Sequence, residues 1–408
     1  MSDPRPVRPT KNDGGAIASA AAMVGVIRSS QDGASRAEIG AATGLSKAVV
    51  SERIRSLVGA GLLEEAGAFG STGGRRATRI RFRSNLVVVA AEVAMTHVRA
   101  AVVTLTGRIL ADEKLPLSMR QGPEPVLATL ETLVERQLNR AQEAAGDALA
   151  LCGIGAGIAG PVEFATGRTV QPPVHPDWHD QPVRDRLAVR FGVPAWADNE
   201  VNLMALAEQH QGAGAKVADS LVVKIGSWVG AGLISNGRLH RGAQGSAGSL
   251  VTTAGGDDIA ARAELLAISG QSTGLAAAAA EGPITAQLVA QLAQLGDEDC
   301  RRILGEAAED IGTVLSVLVD FFNPAVLVVT GGVASGGDAF LARIRETIYR
   351  RSLALATRDL RIVPSELGPD AAILGAAVMT VEELTTPAAL GDTLTRLRTS
   401  TTTTVGAE

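Results

Sequence analysis

Ser46, Lys47, Ser51, Arg53 and Arg55 occupy outward positions of a short amphipathic stretch, and a second cationic group, Arg75, Arg76 and Arg79, follows a glycine-rich run. Short hydroxyls and cations at helical spacing suit phosphate oxygens and base edges. Ser35 and Arg36, just upstream, join this candidate surface. Elsewhere the reactive side chains are scattered. Cys152 and Cys300 lie in apolar or helical surroundings with no C-x-x-C partner, which implies reduced thiols and a cytoplasmic protein. His175 and His179 are four apart, but Pro176 between them argues against one helical face, so no metal pair is expected. Asn199-Glu200 opens a helical stretch. Its carboxylate can hydrogen-bond a ligand, or sit solvated in the first turn where the helix dipole favours it; both readings stand. No resident cofactor is expected.

The elements that must position the first group can be read from periodicity. After a polar start (1–14), which is expected to be disordered, Ile17, Ala20, Ala21, Val24 and Ile27 repeat at helical spacing, and Gly33 closes that helix. Ser35 stands three residues before Glu38, the spacing of a capping box, and opens a second short helix. Thr43-Gly44 breaks the chain, and a third helix follows with apolar Val50, Ile54 and Leu57. Helix, tight turn, helix is the helix-turn-helix pattern, whose second member enters the major groove. Leu62 to Glu65, then Gly67 to Gly74, then Arg75 to Phe82 read as a β-hairpin, a wing whose glycine-rich tip carries the arginines just after it. A helical protein-interaction domain with a basic face would share the helices but not this wing.

Charge supports the division. Residues 1–83 hold 13 Lys+Arg against 7 Asp+Glu, a balance of +6, while the remaining residues hold 25 against 36, a balance of −11. A basic head on an acidic body suits a nucleic-acid partner for the head alone. The 46% hydrophobic and 20% charged composition is that of a globular chain, and no apolar run approaches the ~18 residues of a membrane span. The N-terminus lacks the apolar core of a secretory signal.

From Leu86 the texture becomes α/β. Apolar strands Leu86–Ala90 and Val98–Leu105, with a turn at Thr106-Gly107 and Arg108–Leu117 returning, are followed by a helix through Val126–Ala145 and a buried-type strand at Leu151–Ile158. A related unit follows: Leu221–Ile225, Val229–Ser235, a turn at Asn236-Gly237, and Val326–Val329 running into Gly331-Gly332 and a helix from about Asp338. Two similar α/β lobes facing one another across a cleft are expected. Residues 386–408, rich in threonine and without periodicity, read as a flexible tail.

Several fragments, taken in order, resemble the ROK family (repressors, open reading frames and sugar kinases), and in particular its long repressor members of the xylose and N-acetylglucosamine type. They are Ser71-Thr72-Gly73-Gly74-Arg75-Arg76, Thr96-His97-Val98-Arg99, Asp198-Asn199-Glu200 through Glu208, Leu239-His240-Arg241-Gly242 through Gly248, and Asn323-Pro324 leading to Gly331-Gly332-Val333. The resemblance implies an N-terminal winged helix-turn-helix domain (15–83) and a two-lobed actin-like or ribonuclease-H-like body (84–385). It also implies a homodimer or tetramer, a double-stranded operator, and a sugar-like effector in the cleft. Kinases of the family use D-x-G-G-T for phosphate, but this chain reads Glu92-Val93-Ala94-Met95-Thr96, with side chains at both glycine positions. Trp228 interrupts the second phosphate loop, and Glu200 replaces the family's aspartate base with a carboxylate about one carbon longer, a displacement on the order of 1 Å that costs ~100-fold. The family's sugar-gripping A-G-E-x-G-H reads Ala247-Gly248-Ser249-Leu250-Val251-Thr252, and Thr253–Gly274 contains neither Cys nor His for the zinc loop. Trp178 matches a position near the family's sugar cleft, or is core. The sequence therefore predicts a kinase-inactive DNA-binding regulator, most simply a repressor. The alternative is an ATP-dependent sugar kinase with an appended head.

Overall fold

The computed structural model describes residues 11–30, 32–67, 78–171, 175–250, 254–333 and 337–403. The chain opens with α1 (Lys11–Arg28), β1 (Ala34–Ser35), α2 (Arg36–Thr43), α3 (Lys47–Gly59), β2 (Leu63–Ala66) and β3 (Arg79–Phe82), the strands forming an antiparallel sheet of order β1-β3-β2. The capping box at Ser35 forms: its hydroxyl accepts from Glu38 N at 3.2 Å, and the Glu38 carboxylate accepts from Ser35 N at 2.7 Å. Gly33 takes φ +76°, and a Cβ there would lie 2.2 Å from the Ile80 carbonyl oxygen, so only glycine lets this loop lie on β3.

The first lobe contains β4 (Leu86–Val93), β5 (His97–Thr104), β6 (Ile109–Pro116), α4 (Pro123–Ala144), β7 (Ala150–Ile158), a small ribbon of β8 (Val162–Glu163) and β9 (Arg168–Thr169), α5 (Val183–Phe191) and β10 (Ala195–Asn199). Next comes α6 (Glu200–Gln211). The second lobe has β11 (Ser220–Ile225), β12 (Val229–Ser235), β13 (Arg238–Leu239), α7 (Gly256–Ile268), α8 (Thr273–Glu281), α9 (Ala286–Leu295), α10 (Glu298–Phe322), β14 (Val326–Thr330), α11 (Asp338–Arg351), α12 (Ala354–Thr357) and β15 (Arg361–Pro364). The chain ends with α13 (Ala371–Leu384) and α14 (Leu390–Thr403).

The two large sheets run β10-β7-β4-β5-β6 and β13-β12-β11-β14-β15. Each has an antiparallel three-strand meander at one edge and parallel strands at the other, in the same topological order. Both faces of each sheet are covered, which is why the central strands read as continuous apolar runs. Along β4, Val87, Val89 and Ala91 face α4, while Val88 and Ala90 face the layer containing α13. In the second sheet Leu221, Val223 and Ile225 face α7 and α9 to α11, and Val222 faces α6 and α13. The Asn236-Gly237 turn joins β12 and β13 with both residues at positive φ, the two-residue hairpin expected of that dipeptide.

Two expectations are corrected. The segment 386–408 is not a flexible tail throughout, because α14 packs Leu390 and Leu397 into the same core as Met23, Val24 and Ile27 of α1. Its apolar residues are too few to show a period, but Thr395 and Thr399 donate back onto preceding carbonyls and Thr393 reaches the Leu384 carbonyl. Of the start expected to be disordered (1–14), residues 11–14 belong to α1, which begins at Lys11, and residues 1–10 lie outside the described residues. α1 thus lies between head and body, and the core of the head is continuous with that of the first lobe. Arg28 at the end of α1 pairs with Glu382 of α13 at 2.8 Å.

Candidate functional site

On the head, α3 begins with Ser46, whose hydroxyl caps Val49 N at 3.4 Å. Val50, Ile54 and Leu57 face the core, which leaves Lys47, Ser51 and Arg55 as a stripe at four-residue spacing on the outer side. Lys47 and Arg55 have no ion pair among the described residues. Arg53 pairs with its neighbour Glu52 at 3.1 Å, off that stripe. Arg36 pairs with Glu65 of β2 at 2.6 Å. Surface pairs of this kind are worth ~0–1 kcal/mol and exchange readily for another anion.

Two of the expected interface residues have other work. Ser35 is buried and spends its hydroxyl on the cap of α2. Arg79 braces β3 to the loop after α1, donating to the carbonyls of Gly33 (2.8 Å) and Asp32 (3.3 Å) and facing Glu38 at 3.4 Å. Neither stands on the α3 stripe. Arg75 and Arg76 lie outside the described residues.

A cavity of about 1030 Å³ separates the lobes, lined on one side by Glu92, Met95 and His97 and on the other by Lys224, Trp228 and Gly332. Asn199 and Glu200 stand at its floor, where β10 passes into α6. The Asn199 side chain is fully committed: its oxygen caps Val201 N at 2.8 Å and its amide donates to the Gly160 carbonyl at 2.7 Å. Glu200 is buried, not solvated, and one of its oxygens lies 2.5 Å from the Lys224 ammonium. Its other oxygen is buried without a partner. An orphaned buried acceptor costs ~1–3 kcal/mol, and a ligand hydroxyl or amine is the group that would relieve it.

Lys224 escaped the sequence reading, although a lysine inside the apolar strand Leu221–Ile225 was a usable signal, because a buried cation is rarely left unpaired. Asp198 escaped too. Wholly buried, it accepts from Asn199 N and Asn202 Nδ2 on one oxygen and from Arg241 Nε (2.7 Å) on the other, and the Arg241 guanidinium stacks 3.8 Å from the centre of Phe164.

Glu92 is almost fully buried at the cleft wall, 3.4 Å from His97 Nε2. Burial pushes its carboxyl up, but the His97 hydrogen bond and the charges of Lys224, His97 and Arg99 outweigh it and hold Glu92 below the usual carboxylate range. Arg99 grips Asp112 with both arms (2.8 and 2.5 Å) and reaches Asp370 at 2.7 Å, so β5 is tied to the start of α13. Hydrogen bonding to Asp112, against the cost of burial, raises its already high pKa.

The glycines that resemble phosphate loops have packing duties. A Cβ at Gly232 would lie 2.6 Å from the Val201 carbonyl oxygen, so Gly232 admits α6 against β12. Gly331 takes φ +105° against Ile225, and the Gln287 amide lies against Gly332. Trp228 stands at the cleft, 39% exposed, where a phosphate loop would need open backbone, and Met95 fills the opposite wall. Trp178 is core, its indole donating to the Met119 carbonyl at 3.0 Å. The described part of the stretch that would form a zinc loop is helical and carries neither thiol nor imidazole, so its residues do not fit that metal.

The sequence model of the ROK family matches residues 88–383. The chain belongs to the ROK family. Among curated ROK relatives, a xylose repressor of Caldicellulosiruptor bescii is 27% identical over 371 residues, covering 86% of this chain and 92% of its own length. A glucokinase of Halalkalibacterium halodurans is 26% identical and covers 70% of this chain and 92% of its own length. Among solved structures, a ROK family transcriptional regulator described as a homologue of the Escherichia coli MLC protein covers 94% of this chain and 99% of its own at a TM-score of 0.78 and 20% identity, a likeness of fold. ROK bodies therefore serve regulators and kinases alike, and the match begins only after the three helices and small sheet of the head.

Proposed function

We propose that this ROK protein is a cytoplasmic, sequence-specific DNA-binding transcriptional regulator, a repressor, whose body no longer transfers phosphate. The observation that carries the reading is the α3 face: Ser46, Lys47, Ser51 and Arg55 present hydroxyls and cations outward on a helix held by an intact apolar core. In this reading residues 15–83 form a winged helix-turn-helix, α3 enters the major groove, and the segment between β2 and β3, with Arg75 and Arg76, is the wing. Two copies would read half-sites spaced ~10 bp, or a multiple, on one duplex face. Loss of kinase chemistry is supported by Met95 and Trp228 at the phosphate positions and by the ammonium of Lys224 on Glu200.

The cleft keeps a sensing role. A small ligand with hydroxyl or amine donors would satisfy the orphaned oxygen of Glu200, the first residue of α6. α6 touches α13 backbone to backbone, since a Cβ at Gly375 would lie 1.8 Å from the Leu203 carbonyl oxygen. α13 in turn holds α1 through Glu382 and Arg28 and shares its core. Ligand-dependent lobe closure would then move the head through rigid, packed helices, shifting operator affinity by the ligand's differential affinity for the two states.

Gel-shift titrations of full-length variants test the head. Arg75→Ala with Arg76→Ala should weaken specific and random DNA alike and flatten the salt dependence, whereas Lys47→Ala or Ser51→Ala should blunt discrimination between sequences. Equal loss of discrimination from both pairs would contradict these roles. The kinase reading is favoured by the retained cleft and by Glu200. A coupled ATP-consumption assay over a sugar panel decides it: turnover abolished by Glu200→Gln would replace the regulator-only account.

A further inference from the structure

The charges along the cleft indicate the class of ligand it takes. Its two inner cations are each shared between two acids. Lys224, on β11 of the second lobe, holds one oxygen of Glu200 at 2.5 Å, and its charge also acts on Glu92, on β4 of the first lobe. Arg99 is divided in the same way between Asp112 and Asp370. Asp257 of α7 faces Arg120 of the first lobe at 3.8 Å. Lys114 is exposed on the edge strand β6, where water and salt screen it.

An acid is therefore left over where burial is deepest. Glu92 and Glu200 are both more than nine-tenths buried and share one ammonium between them. His97, 3.4 Å from Glu92, bonds it without adding charge while its imidazole is neutral. The second oxygen of Glu200 has no partner, and the cavity of about 1030 Å³ opens beside this residue. A buried negative charge in excess is costly, and a second ammonium is the group that balances it. Lys224 already shows that Glu200 takes an ammonium at short range. The partly exposed indole of Trp228 lines the same cavity, and indole faces attract organic cations. A neutral hydroxyl would fill the open hydrogen bond but leave the charge, and a phosphate would add to it.

We propose that the cleft binds a small primary amine in its ammonium form, between Glu92 and the free oxygen of Glu200, in preference to neutral or phosphorylated sugars. The proposal rests on the sensing role of the cleft and narrows its ligand from a hydroxyl or amine donor to a cation. Glu200 would supply the hydrogen bond, Glu92 the excess charge, and Lys224 would keep that excess to a single unit, so that one ammonium satisfies the site.

Isothermal titration calorimetry of the full chain at neutral pH, without DNA, tests it with matched probes: glucosamine, N-acetylglucosamine, glucose and glucose-6-phosphate, and putrescine beside the diol of the same length. An amine should bind at least ~10-fold more tightly than its uncharged counterpart, the margin of a charged over a neutral hydrogen bond. Glu92→Gln, nearly isosteric, should remove most of that margin. Lys224→Met should widen it, because the ligand then becomes the sole ammonium between two acids. Circular dichroism reports whether each variant folds, and Glu92→Gln alone decides if Lys224→Met does not. A neutral or phosphorylated probe favoured over the amine, or a margin that Glu92→Gln leaves intact, would overturn the proposal and leave a sensing cleft of another chemistry. Binding of none of the probes would remove both the cationic ligand and the sensing role, while the DNA reading of α3 would stand.

Discussion

Replacing Gly375 with alanine tests whether the cleft and the head are mechanically joined. An ideal Cβ at that position would lie 1.8 Å from the Leu203 carbonyl oxygen and 2.3 Å from its carbon. Ordinary carbon–oxygen contacts begin at ~3.3 Å, so α6 and α13 would have to part by roughly 1.5 Å. Both contacts are backbone, and no rotamer change can relieve them. Overpacking of this kind costs ~1–3 kcal/mol, against a gain of ~1 kcal/mol from alanine's better helix propensity, for a net loss of about 2 kcal/mol at the upper end. Gly305 supplies the control, because it is also helical but has nothing within 4 Å of its ideal Cβ. Gly305→Ala should therefore stabilise by ~0.5–1 kcal/mol. Urea denaturation of the two variants beside wild type reads the difference as shifts of midpoint in opposite directions. Should both variants gain stability, the backbone contact between α6 and α13 would be wrong, and the proposed route from Glu200 to Arg28 would lose its tightest joint.

Leu390→Ala should cost ~2–5 kcal/mol in the same denaturation series, because Leu390 is fully buried against α1; a neutral effect would return the C-terminal segment to the status of a loose tail. Cys152 and Cys300 are buried, which pushes both thiols up to about 12, so neither should react with a disulfide reagent at neutral pH until the chain is unfolded. Glu92 has a folded pKa below its ordinary value of 4.5, so its contribution is present above that value and lost as pH falls through the lower folded one. Glu92→Gln should remove that part of the acid limb in a stability–pH profile, and an unchanged limb would contradict the His97 hydrogen bond and the influence of the Lys224 charge. Glu200→Gln should leave DNA binding without ligand intact while reducing any thermal shift produced by hydroxyl- or amine-bearing ligands; an undiminished shift would place the ligand elsewhere.

The parts legible from sequence were those with a local physical code. The capping box at Ser35, the Asn236-Gly237 hairpin and the α3 apolar triplet are set by neighbours in the chain, and each forms as read. The repeated lobe was legible because strands covered on both faces become unbroken apolar runs. Tertiary pairing was not legible. Nothing near Glu200 announces that Lys224, on β11, will hold it, and nothing near Arg79 announces that the carbonyls of Asp32 and Gly33 will. The threonine-rich end escaped because its helix draws stability from burying Leu390 and Leu397 on α1 rather than from its own propensity.

The central claim is that the outward face of α3 reads a particular DNA sequence. Selection of bound duplexes from a random library by the purified full chain, followed by sequencing, tests it most directly. The account predicts enrichment of one sequence in two symmetric halves, with the preference relaxed by Lys47→Ala or Ser51→Ala. A pool that stays random after repeated rounds, or an enriched sequence that those substitutions leave untouched, would contradict it.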